Sequence, residues 1–149
     1  MEPLKLAALD GEDLDVVSTH VQDSVVTVGD ILWRPAERRL VVVVNRFDWE
    51  AAKCGDGQYR RRRAALRFDR VNGLKARNIA CGDKDVVLNL LAVEFTATDA
   101  PAGCVTLIFS GDKALRLDVE CLEAELADLG PVWATTICPA HRDGEVKTA

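Results

Sequence analysis

The strongest chemical feature of the chain is a run of guanidinium groups. Between Arg60 and Arg77 stand eight basic residues (Arg60, Arg61, Arg62, Arg63, Arg67, Arg70, Lys75 and Arg77) against one acid, Asp69. The segment carries +7 in a chain of net charge −5, which leaves −12 for the remainder. Side chains alternate along a strand, so Ala64, Leu66 and Phe68 share one face and Arg61, Arg63 and Arg67 the other. With the apolar set facing a core, the arginines line the outside about 7 Å apart. A guanidinium presents a planar fork of donors that suits phosphate or carboxylate. Arg61, Arg63 and Arg67, with Arg46 on the preceding strand and Tyr59 as an exposed ring beside them, therefore form a candidate surface for an anion or an anionic partner. The same row also reads as a solvated face paired with acids such as Asp48, Glu50, Glu94 or those of the closing helix.

Other constellations carry less. In Asn45-Arg46-Phe47-Asp48-Trp49-Glu50, if Val41, Val43, Phe47 and Trp49 face inward, then Arg46, Asp48 and Glu50 share the opposite face. Paired carboxylates serve acid–base chemistry in a cleft, and cross-strand pairing with the arginines where there is none. His20 and His141 are the only histidines. Cys138 and His141 could give a metal two ligands where a zinc site takes at least three from protein. Gly55-Asp56-Gly57 lacks the Lys and Ser/Thr of a phosphate loop, and Cys54 has no evident base. No catalytic, cofactor or metal set is expected. Aromatic residues at 5% are too sparse for base-specific readout, so nucleic acid is not the expected partner.

The elements that must position these residues follow from periodicity. Asp10 reads as an N-cap with acids in the first turn, and Leu14, Val17 and Val21 form one helical face ending near Asp23. Strands are expected over 25–34, 40–49, 61–71, 74–80, 86–96, 104–109 and 114–119. Within the second, Leu40 to Val44 is apolar on both faces, as in a central strand. Asn72-Gly73 predicts a hairpin between the third and fourth strands, and Ser110-Gly111-Asp112-Lys113 another between the last two. Leu122, Leu126 and Leu129 predict an amphipathic closing helix stopped by Gly130-Pro131. Trp133 is expected to pin an extended segment, and the polar tail 139–149 to be mobile.

The expected class is therefore α+β: an N-terminal helix, about seven antiparallel strands and a C-terminal helix. Such an order is similar to a pleckstrin-homology-like barrel; the alternative is an open antiparallel sheet backed by two helices. The length, 149 residues, suits a single domain, here 1–138. Five cysteines, odd in number and without a C-x-x-C pair, point to a reducing compartment, with Cys104 in a strand and Cys121 at the start of the closing helix. No signal-peptide pattern or 18-residue apolar run is present, so a cytoplasmic protein without a membrane span is expected.

Five strings then carry a resemblance: Pro3-Leu4-Lys5-Leu6, Gly11-Glu12-Asp13-Leu14, Asn45 to Glu50, Arg61-Arg62-Arg63-Ala64-Ala65-Leu66, and Asp128-Leu129-Gly130-Pro131 with Trp133-Ala134-Thr135. The chain resembles, from about residue 3 to 141, a domain family of unknown function from alphaproteobacteria. That resemblance implies a small bacterial cytoplasmic protein and transfers no activity, cofactor or site residue. Three functions stay open: a non-enzymatic binding or adaptor domain taking an acidic protein or a second copy on the arginine strand; an enzyme acting on a phosphorylated or carboxylated metabolite, with Asp48 or Glu50 as base; and weak electrostatic nucleic-acid binding.

Overall fold

The computed structural model describes residues 3–47, 59–80 and 82–135. Near the start, Gly11–Val21 forms the helix α1, capped by the Asp10 carboxylate, which accepts the Asp13 N–H at 2.8 Å. Leu14, Val17 and Val21 are its buried stripe. The remaining regular structure is β: β1 (Lys5–Ala8), β2 (Ser24–Thr27), β3 (Ile31–Arg34), β4 (Arg39–Phe47), β5 (Tyr59–Phe68), β6 (Val71–Arg77), β7 (Val87–Ala97), β8 (Gly103–Phe109), β9 (Lys113–Val119) and β10 (Ala124–Thr135). They form one antiparallel sheet in the order β1-β10-β5-β4-β2-β7-β8-β9-β6, with β3 on β4 beside β2.

The sheet rolls because two pairs of elements are continuous through a corner. β5 and β6 are separated only by Asp69 and Arg70, and β9 and β10 by residues 120–123. The ladder crosses this corner through Asp69 N–H to Glu123 O at 2.9 Å and Glu120 N–H to Arg70 O at 3.0 Å. The last strand of the path, β6, is thus the chain's own continuation of β5, and the sheet curls round one core. Leu40, Val42 and Val44 of β4, Ala64, Leu66 and Phe68 of β5, Val105 and Leu107 of β8 and the helical stripe are all buried in it. A register shift in β7 between Leu90 and Ala92 accompanies the helix contact, where Val93 N–H donates to Ser18 Oγ at 2.9 Å.

This architecture corrects the expected class. Among the described residues α1 is the only α-helix, so neither a C-terminal helix nor two backing helices exist, and the pleckstrin-homology-like order fails with them. The segment expected as the closing helix is largely β10, paired with β5 on one side and β1 on the other. The leucine spacing misled because a step of four is both a helical turn and two strand repeats. Burial settles the period: Leu122, Ala124 and Leu126 are buried, Glu123 and Glu125 are not, and Leu129 is exposed. Cys121 accordingly precedes a strand.

Other boundaries also move. The strand expected over 25–34 is broken by the 3₁₀ turn Val28–Asp30 into β2 and β3. Asn72-Gly73 lies inside β6 at a bulge rather than in a hairpin; the corner is made by Arg70, at φ 58°. The second hairpin has the turn its sequence expects, with Gly111 and Asp112 both at positive φ. β1 was not expected. The Trp133 side chain and the tail 139–149 lie outside the described residues.

Candidate functional site

The arginine strand splits into two environments. Arg63 and Arg67 lie on the outer face, each beside a carboxylate: Arg63 Nη2 is 3.9 Å from Asp30, and Arg67 reaches Asp69 at 3.0 Å and Glu125 at 3.6 Å. Arg39 joins the same group by donating to Asp69 at 2.7 Å. Around the corner Arg38 and Arg70 meet Glu120, and Arg70 also approaches Glu123. The outer face is an interleaved ladder of both signs. It draws much of its acid from β10 and the corner before it.

Arg61 shares the outward register of Arg63 but is only 1% exposed. Its Nη1 donates to Asn45 O at 3.0 Å, and its guanidinium stands 5.9 Å from the centre of the Phe47 ring, its register partner on β4. A cation over a ring face is attracted by the ring quadrupole. Arg46 and Arg62, opposite one another on β4 and β5, point the other way, into the end of the core. This reverses the expected facing of β4: Leu40, Val42, Val44 and Arg46 are inward, while Val41 and Val43 are half-buried on the outside.

Asp128 of β10 explains the inward arginines. It pairs across β5 with Ala64, whose small side chain leaves a path between β4 and β10. Arg46 crosses two strand spacings, roughly 10 Å, to reach it. Arg46 Nε donates to Asp128 Oδ1 at 2.8 Å and Nη2 to Oδ2 at 2.9 Å, while Arg62 Nη1 stands 3.7 Å from Oδ2. The Leu4 N–H adds a fourth contact, from a third partner, at 2.7 Å, fastening the chain ahead of β1. Burial alone pushes the Asp128 carboxyl up, but the hydrogen bonds from Arg46 and Leu4 and the charges of Arg46 and Arg62 outweigh it and hold it below the usual range. This is a structural lock. Of the sequence candidates, Arg46 and Arg61 are buried and Arg63 and Arg67 are on the outer ladder; the Tyr59 side chain, Asp48, Glu50, Cys54 and the Cys138–His141 pair lie outside the described residues.

The clearest cavity is elsewhere, and sequence reasoning did not find it. It occupies about 780 Å³ where the rolled sheet fails to close, between β3 and β6. Ile31, Leu32 and Trp33 form one wall and Leu74, Ala76 and Ile79 the other, over the buried side chains of Val28 and Leu115. At the corner end Val71 N–H bonds Arg38 O at 2.9 Å. At the far end Gly29 N–H bonds Lys84 O at 2.9 Å. A Cβ on Gly29 would come within 3.1 Å of that oxygen, a tight approach that would make the Lys84 backbone give by a few tenths of an ångström. Arg34 ends β3 and Lys84 stands beside Gly29, so each end of the slot carries a cation. No carboxylate lines the slot, and neither cation forms an ion pair among the described residues.

Among the described residues no three His, Cys, Asp or Glu side chains gather to hold a metal, and no helix is long and apolar enough to cross a membrane. No curated protein and no solved structure matches the chain at a significant level. A family model matches residues 4–141, nearly the whole length. The chain therefore belongs to the family described as "Protein of unknown function (DUF2948)".

Proposed function

We propose that the protein is a non-enzymatic binding domain that receives an anionic, largely apolar ligand or partner segment in the slot between β3 and β6. The observation that carries this reading is the combination at one place of an apolar cavity of about 780 Å³ and two cations that have no carboxylate partner among the described residues. Binding sites are typically concave, of roughly 300–1,000 Å³, mostly apolar and furnished with a few polar groups that fix orientation. The slot has that composition, and the outer arginines do not. Arg63 and Arg67 already face Asp30, Asp69 and Glu125, so an incoming anion there would have to compete with the protein's own carboxylates. The free thiols of Cys104 and Cys121 support a cytoplasmic setting for this role.

The test is a fluorescence titration with 8-anilinonaphthalene-1-sulfonate, an apolar ring system bearing one negative charge. Saturable binding to the folded wild type, weakened about ten-fold or more by Leu74→Asp and several-fold by Lys84→Glu, is expected. Equal binding by wild type and both variants, each shown folded by circular dichroism, would remove the slot from consideration.

A further inference from the structure

The slot is bounded by two strand edges, and this bears on what fills it. Among the described strands, β3 pairs only with β4 and β6 only with β9, and past the Val71–Arg38 bond at the corner their facing edges are not joined as a ladder. The outward-facing N–H and C=O groups of both edges lie in the plane of the sheet and point into the gap. A lipid-like molecule would bury the apolar walls and leave these groups unmet, whereas an extended peptide satisfies them and also places alternate side chains on the floor. We infer that the natural occupant is an extended acidic segment of a partner protein, added as a strand between β3 and β6. This inference rests on the reading of the slot as the binding site and names what enters it.

Length and charge agree with a strand, and the edge directions permit one. β3 is antiparallel to β4, β4 is antiparallel to β5, and β6 continues β5 around the corner. At the slot, however, β3 runs toward the corner and β6 away from it, so the two edges are antiparallel and one incoming strand pairs antiparallel with one and parallel with the other. The four residues of β3 at about 3.3 Å each span roughly 10 Å, and the 3₁₀ residues before them add about 4 Å. Four or five extended residues fill that length. Inward side chains would rest on Val28 and Leu115, and acidic residues at the two ends would meet Arg34 and Lys84. A second copy of this chain fits less well, because an edge-to-edge pair built from β3 or β6 would bring Arg34 and Lys75 against their own likes.

The experiment uses the full chain and a synthetic library of acetylated, amidated heptapeptides with glutamate at both ends and apolar residues at alternate positions. The best binder is then remade with alternate backbone amides N-methylated, which removes edge hydrogen bonds while keeping side chains and charge. Expected are saturable binding, at least a ten-fold loss on N-methylation, a several-fold loss with Lys84→Glu, and amide hydrogen exchange slowed at least ten-fold in β3 and β6 together. An N-methylated peptide that binds as well as its parent overturns the strand assignment. So does a slot that binds 8-anilinonaphthalene-1-sulfonate but no peptide, which leaves the slot as a small-molecule site. Binding of neither probe overturns the strand assignment and the underlying reading of the slot together.

Discussion

Arg46 and Asp128, 82 positions apart, meet side-on through two hydrogen bonds of 2.8 and 2.9 Å, with side chains 2% and 1% exposed. The contact spans three strands and, through the Leu4 amide, holds the start of the chain. A buried ion pair adds little net stability against an apolar replacement, but losing one partner leaves an uncompensated charge. Asp128→Asn is therefore expected to lower unfolding free energy by about 3–5 kcal/mol, and the double change Arg46→Met, Asp128→Leu to recover part of that loss. Urea unfolding of the three proteins measures both.

The same carboxylate sets an acid limb. Its folded value lies below the ordinary 3.8, so its contribution to stability is complete above that value and is lost as pH falls through the folded value. Stability is expected to lose this contribution on acidification below about pH 4, and Asp128→Asn to show a shallower decline. Urea midpoints at pH 7, 5, 4 and 3 for both proteins test the sign.

The outer arginines behave differently. Arg63 and Arg67 have side chains 48% and 38% exposed beside their acids, so charge reversal at these two positions should leave the fold intact and cost at most about 1 kcal/mol per pair. Reversal at Arg61 is expected to unfold the protein, because that guanidinium is enclosed against Phe47 and the Asn45 carbonyl. Circular dichroism and thermal melts of Arg61→Glu, Arg63→Glu and Arg67→Glu separate the two groups.

Gly103 provides a packing test remote from the slot. A Cβ there would stand 2.6 Å from both the Phe95 ring and the Thr96 carbonyl oxygen, so Gly103→Ala must displace backbone or ring. The expected cost is about 1–3 kcal/mol, read from a shifted urea midpoint.

Much of the fold was legible where a period was unambiguous. The Asp10 cap, the Leu14–Val17–Val21 stripe and the Gly111-Asp112 turn depend on neighbours in sequence, and the structure places each as expected. The closing segment was not legible by leucine spacing alone, since Leu122 and Leu126 satisfy both periods. Ala124 and the flanking Glu123 and Glu125 carried the alternation that decides it. Inward placement of Arg46 and Arg62 depends on Asp128, a residue of β10 far along the chain, so no local pattern announces it. The slot is harder still: its walls come from β3 and β6, elements separated in sequence and joined only by the rolling of the sheet.

Binding between β3 and β6 is tested most directly by a ¹⁵N-resolved NMR titration with 8-anilinonaphthalene-1-sulfonate. The expected result is saturable shift changes concentrated in residues 28–34, 74–79 and Lys84, the segments that line the slot. Changes concentrated instead at Arg63, Arg67 and their neighbours on the outer ladder would contradict it and return the arginine strand as the binding surface.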